Sequence, residues 1–228
     1  MLPLLRSPTT SRRDVLKGFL LVGTAVALAG PLALHPGWAQ EKTKIPMDEM
    51  MAPEALPDVV QGKADAPVTI VEYASMTCPH CAHFHKTVYP WLIKTYVDTG
   101  KAKFILREFP LDPLAAAAFM LARCEGPDKR SAVVDLLFDQ QQNWAYVDKP
   151  LESLQSTLKQ TGMSQTSFDA CLKDQKLQDQ VYEVSDRGAK TFGVSATPTF
   201  FVNGEKVTGE VTQESLAKLL DPLVAKKS

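Results

Sequence analysis

Two cysteines, Cys78 and Cys81, enclose a proline and a histidine in the run Cys78-Pro79-His80-Cys81. Thiols at this spacing can close a small disulfide ring, and the same spacing also makes half of a zinc site. No second Cys-x-x-Cys follows, which favours dithiol redox chemistry over a structural metal. The nucleophile in such chemistry is a thiolate, so whatever stabilises the ionised sulfur sets its reactivity. A helix starting at the motif supplies that stabilisation, because its unpaired N–H groups and positive dipole end lie beside the first thiol. Pro79 has no N–H and suits the first helical position, so it marks the start. His80 either adds positive charge near the thiolate or donates a hydrogen bond to it.

The flanking pattern supplies the elements that must hold these groups. Val68-Thr69-Ile70-Val71-Glu72-Tyr73 is almost continuously apolar, as expected of a central strand covered on both faces. Glu72 interrupts it, either at a solvated strand end or buried with a purpose. After Cys81, the spacing of Phe84, Val88, Trp91 and Leu92 predicts a helix to about Thr99, ended by Gly100 and kinked at Pro90. Lys101 to Phe109 alternates as a second strand and completes a βαβ unit, right-handed if the strands are parallel. His83 and His85 fall on different faces of the helix and read as surface or groove residues, not metal ligands.

From about Asp112 to Lys190 no segment reads as strand. Helices are expected over 114–124, 131–144 and 151–160, then one capped by Ser164 and one over 181–191. The chain returns to strand at Ala196-Thr197-Pro198-Thr199-Phe200-Phe201-Val202, turns at Asn203-Gly204, and runs back through 205–208. An amphipathic helix from Thr212 to about Val224 closes it. Pro198 at the entrance of a would-be central strand argues for a special local backbone.

The first 39 residues do not read as part of this fold. Arg6, Arg12, Arg13 and Lys17 precede an apolar stretch from Phe19 to Leu34, and Gly37-Trp38-Ala39 has the small residues of a cleavage site. Ser11-Arg12-Arg13-Asp14-Val15-Leu16-Lys17 is similar to a twin-arginine export signal, with Val15 where Phe is usual. The apolar stretch, interrupted by Gly23, Gly30 and Pro31, is short for a span of roughly 20 residues. Removal of residues 1–39 takes four basic and one acidic side chain from a chain with 25 basic and 26 acidic, leaving a net charge of −4. That balance points to neither nucleic acid nor a polybasic membrane contact. Residues 40–66, with Pro46, Pro53 and Pro57, read as an extended leader with a short helical turn near 47–51. The adjacent Met50 and Met51 read as gap-fillers, not copper ligands.

Signal, strand, Cys-Pro-His-Cys, helix, strand, helical insert, Thr-Pro, hairpin and final helix together resemble the DsbA family of thiol–disulfide oxidoreductases, from roughly Ala55 onward. Cys78-Pro79-His80-Cys81 matches that family's motif, and Ala196-Thr197-Pro198-Thr199-Phe200 matches its proline loop. The resemblance implies an α/β fold, a thioredoxin fold with an inserted all-helical subdomain. Residues 67–111 and 191–228 would form the thioredoxin domain and 112–190 the insert. It implies a redox-active Cys78–Cys81 disulfide, with Cys78 as nucleophile and Cys81 as the resolving thiol. Pro198 would be cis, leaving the Thr197 backbone free to pair with a client, against the simpler reading of a strand-edge proline. Thr197 would tune potential and client release. Glu72 would be the buried acid that assists proton transfer at Cys81. Cys124 and Cys171 would pair as a structural disulfide; two inert thiols or a second redox pair are the alternatives.

The function so implied is a periplasmic dithiol oxidase that gives its disulfide to exported polypeptides and is recharged by a DsbB-like quinone-linked membrane protein. It needs no cofactor and no metal. A disulfide isomerase or reductase shares the chemistry, but residues 40–66 are too short and Pro-broken for a dimerisation stalk, so a monomer is expected. A zinc- or copper-binding protein using the same cysteines is the alternative from another class.

Overall fold

The computed structural model describes residues 44–207 and 211–226. The expected export signal and its cleavage site lie outside the described residues. In chain order the elements begin with α1 (Met47–Met50), β1 (Val60–Gln61), β2 (Val68–Ala74), α2 (Pro79–Thr87), α3 (Tyr89–Leu92) and β3 (Ala102–Glu108). Helices α4 (Pro113–Cys124), α5 (Pro127–Asp139), α6 (Gln141–Trp144), α7 (Pro150–Leu158), α8 (Gln165–Leu172) and α9 (Gln175–Phe192) follow. β4 (Thr199–Val202), β5 (Glu205–Lys206) and α10 (Gln213–Ala225) end the described chain.

The sheet order is β1-β3-β2-β4-β5. β2 pairs parallel with β3 and antiparallel with β4, so it is the central strand, and all seven of its residues are buried. That explains its nearly unbroken apolar run. The turn between β4 and β5 takes positive φ at Asn203 (48°) and Gly204 (80°), the conformation that an Asn-Gly hairpin favours.

Three boundaries differ from expectation. The helix after the motif does not run unbroken to Thr99: α2 stops at Thr87, α3 restarts at Tyr89, and a π-helical turn spans Ile93–Val97. Pro90 cannot donate to the preceding turn, so the break falls two residues before it. The helix expected over 131–144 is two helices, parted at Gln140. A division at 190/191 falls inside α9, whose Gly188 packs so closely on β2 that a Cβ there would lie 2.7 Å from Tyr73 Cε1.

Residues 44–66 are not an extended leader. Ile45, Met50 and Leu56 are core residues, Lys44 bridges Glu205, and β1 adds an antiparallel edge to β3. Arg107, 1% exposed, holds the segment by ion pairs to Glu54 at 2.8 Å and Asp58 at 2.8 Å and a hydrogen bond to the Met50 carbonyl. A buried arginine needs such partners, and prolines alone gave no sign of them.

Cys124, at the end of α4, is bonded to Cys171 in α8, 47 positions away. Closing a loop of that length contributes about 4 kcal/mol in the chain-entropy account. The Cys124→Ala, Cys171→Ala double variant should therefore lose about 4 kcal/mol of unfolding free energy, read from guanidinium denaturation with Cys78 and Cys81 kept reduced in both proteins. A loss below about 1 kcal/mol would mean that helix packing alone holds α8 on α4.

Candidate functional site

Cys78 is the N-cap of α2 and Pro79 occupies its first turn. Both cysteines are free thiols, and both lie beneath the surface: Cys78 is 4% exposed and Cys81 0%. Their environments differ sharply. The Cys78 thiol is lowered from 9.0 to about 5, chiefly because Cys81 donates a hydrogen bond to its sulfur. Burial works against this. The nearby Thr197 side chain and the backbone amides of Cys81 and His80 reinforce it. Cys81 is pushed strongly upward, first by burial, then by its bond to Cys78 and by the negative charge of Glu72.

His80 contributes its backbone amide, and its imidazole is exposed. The Thr197–Pro198 bond is cis. Cys78 Sγ lies 3.2 Å from the Thr197 carbonyl oxygen, to which the neutral thiol donates. The buried Thr197 Oγ1 has no hydrogen-bond partner. When Cys78 ionises its sulfur can only accept, and the Thr197 hydroxyl is the donor at hand.

Glu72 is 0% exposed, which excludes a solvated strand end. Its Oε2 lies 2.9 Å from His85 Nε2, and its Oε1 has no hydrogen-bond partner. Of the two placements expected for His85, surface or groove, the structure gives the second: the side chain is buried, stacked on Phe138 at 4.2 Å, and lines a groove with Asp135. The reason is α5, which packs over this face of α2. Burial disfavours the imidazolium, yet attraction to Glu72 and Asp135 and the hydrogen bond to Glu72 hold it up at about 9. His83 stays exposed. Among the described residues no group of three or more His, Cys, Asp or Glu side chains is placed to hold a metal.

Several supports escaped the sequence. Gln141, 1% exposed, donates to the carbonyls of Met76 at 2.8 Å and Cys78 at 3.0 Å, bracing the turn before α2. Tyr146 donates to the Thr77 carbonyl, and Thr77 to the Asp112 carboxylate that also caps α4. No local pattern marks such residues, because their partners are at least 35 positions away. Cys78, His80, Leu111, Tyr146 and Thr197 line an open groove of 920 Å³, in which Leu111 and Tyr146 are 57% and 50% exposed.

A thioredoxin family model matches residues 54–222. The chain belongs to the thioredoxin family, on its DsbA branch. It is similar to a protein named as a protein-disulfide oxidoreductase in Rickettsia typhi, 35% identical over 166 residues, 72% of this chain and 61% of that one. The chain thus spans about three fifths of that relative's length. The structure of alpha-DsbA1 from Wolbachia pipientis superposes with a TM-score of 0.72 at 30% identity, covering 79% of this chain and 96% of the other. BdbD from Bacillus subtilis shares the fold, with a TM-score of 0.63 at 24% identity over 74% and 93% of the two chains.

A depressed thiol stabilises the reduced protein above its ordinary value of 9.0, and that contribution is lost as pH falls through about 5. Alkylation of Cys78 by iodoacetamide should accordingly titrate with a midpoint near 5, with Cys81 unreactive. Removing one charge-assisted donor in Thr197→Val should raise that midpoint by about one pH unit. An unchanged midpoint in Thr197→Val would show that the hydroxyl does not reach the thiolate.

Proposed function

We propose that the protein is a dithiol oxidase of the periplasm, which gives a Cys78–Cys81 disulfide to reduced cysteines of exported polypeptides. The asymmetry of the two thiols carries this reading. A sulfur that ionises at about 5 stabilises the reduced pair, and whatever stabilises the reduced form makes the disulfide a stronger oxidant. Each tenfold step in that equilibrium corresponds to about 1.4 kcal/mol. The family's established chemistry and the names of its relatives support the same direction.

In the cycle a client thiolate attacks Cys78 Sγ, the sulfur–sulfur bond breaks, and Cys81 leaves as thiolate and takes up a proton. A second client thiolate attacks its own sulfur in the mixed disulfide, and Cys78 departs as a stable thiolate. The client gains a disulfide and the enzyme keeps the two electrons. Reoxidation reverses the steps at a DsbB-like quinone-linked membrane protein. Thr197 and cis Pro198 present the backbone against which the client lies, Glu72 exchanges the proton of Cys81, and the groove beside Leu111 and Tyr146 receives flanking apolar side chains. Neither cofactor nor metal takes part.

The organisation that goes with this function is a thioredoxin domain, with the segment from residue 44 onward packed on it and the helices between β3 and β4 as its insert. An export signal over 1–39 is removed near Ala39, and the mature protein is a monomer. Among the described residues no helix is long and apolar enough to cross a membrane. Cys124–Cys171 is structural and stays closed through the cycle.

Incubated with a reduced, unfolded protein, the oxidised enzyme should pass on one disulfide per molecule. Cys78→Ser should abolish transfer, and Cys81→Ala, which has no disulfide to give, should instead be held as a mixed disulfide on Cys78 when it is offered the client in its disulfide form. Equilibration with glutathione should give a reduction potential well above that of a thioredoxin-type reductant, about −270 mV. A value near that figure would sink the oxidase assignment and favour a reductase.

A further inference from the structure

Cys81 must gain one proton and lose one in each cycle of the exchange proposed above, yet it has no surface through which to do so, being 0% exposed. The carboxylate whose charge reaches it, Glu72, is equally buried. A closed pair of buried groups can hold a proton but cannot trade it with water. The structure continues the chain outward. Glu72 Oε1 is free of hydrogen bonds while Oε2 meets His85 Nε2 at 2.9 Å. On the other side of the ring, His85 Nδ1 also lacks a hydrogen-bond partner and faces Asp135 Oδ1 at 3.7 Å. That is longer than a direct hydrogen bond, a gap closed by one water or a small side-chain movement. The Asp135 side chain is 47% exposed. His85 and Asp135 both line an open groove of 830 Å³ that shares no lining residue with the groove at Cys78.

The imidazole is fixed for this task. It stacks on Phe138 at 4.2 Å and lies 4.5 Å from the Tyr89 ring, so both nitrogens stay aligned between the two carboxylates.

We infer that Glu72, His85 and Asp135 form a proton path from Cys81 to the groove at Asp135, in which His85 is the positioning residue that links a buried carboxylate to a solvated one. The inference rests on the thiol-exchange reading above and adds to it the route by which the proton leaves. In the closing step, the Cys81 Sγ–H proton passes by way of one bridging water to Glu72 Oε1, the Cys81 sulfur bonds to Cys78 Sγ, and the partner sulfur departs with the electron pair of the broken bond. His85 releases its Nδ1 proton to Asp135, which passes it to water in the groove, so Glu72 and His85 together hold two protons before and after. Opening of the disulfide runs the same path inward.

The groups that set the pH response come from every element around the ring. Glu72 faces it from β2, Asp135 from α5 and the Tyr89 phenol from α3. Phe84, Phe104 and Phe138 are its uncharged neighbours. Asp139, Asp98, Lys86 and Lys94 stand at the groove mouth.

The test separates two rate constants of the full protein between pH 5 and 9, by acid quench and mass analysis. One is attack of Cys78 on oxidised glutathione; the other is closure of the resulting Cys78–glutathione mixed disulfide by Cys81. In Asp135→Asn and in His85→Gln, closure should slow about tenfold or more relative to the first attack. Its pH profile should flatten, and its solvent deuterium isotope effect should differ from that of the wild type. Asp135 is half exposed, so Asp135→Asn decides the matter even if His85→Gln does not fold. Closure within twofold of wild type, with an unchanged pH profile, in Asp135→Asn overturns the path and leaves the exchange reading intact. A wild-type protein that forms no mixed disulfide with glutathione overturns that reading and this inference with it.

Discussion

Cys81 donates a hydrogen bond to Cys78, and the surroundings of the motif keep that donation one-way. A dithiol with two equivalent sulfurs would share its proton and offer no preferred nucleophile. Here the N-terminus of α2 places backbone amides around one sulfur, while the other is sunk one turn deeper against β2 and its carboxylate. Dipole, amides and hydroxyl all favour charge at Cys78; burial and Glu72 all oppose it at Cys81. The direction of attack and the stability of the reduced form follow from this single inequality.

Holding it requires a rigid frame, because a thiolate's hydrogen bonds weaken steeply once angles and distances drift. Central β2, paired on both edges, fixes Glu72 and the strand end that leads to the motif. Gln141, in α6, and Tyr146, just after it, clamp the carbonyls between strand and helix from the segment that lies between β3 and β4. The Thr197–Pro198 loop closes the site from the opposite side, with Thr197 able to accept from the neutral sulfur through its carbonyl and to donate to the ionised one through its hydroxyl. One residue thus serves both protonation states.

Much of this was legible in the chain because it is local. The apolar run of β2, the Pro79 start, the Asn203-Gly204 turn and the Ser164 cap each declare themselves within a few residues, and each is found. Glu72 stood out as a charge in a buried pattern. What could not be read is what distant segments do to one another. The burial of His85 could not be seen without α5, and residues 44–66 looked like a leader because their anchors, Arg107 and Arg187 (which donates to the Glu49 carbonyl at 2.8 Å), lie about 50 to 140 positions away. Helical periodicity also smoothed over the break at Gln140, whereas the one before Pro90 follows from the proline that marked a kink there.

The helices between β3 and β4 therefore do more than shield one end of the sheet. Strip α5 from the fold and His85 would face water, lose its stacking on Phe138 and the company of Asp135, and behave as an ordinary histidine against a carboxylate with one neighbour fewer. With α5 in place, the charge beneath Cys81 is a buried pair whose outer end is solvated. A purely apolar lining would raise the thiol further but give its proton nowhere to go. A wide-open lining would hydrate Glu72 and erase the difference between the two sulfurs. Asp135, half in water and within reach of a buried ring, sits between those limits, and it is the helical insert that puts it there.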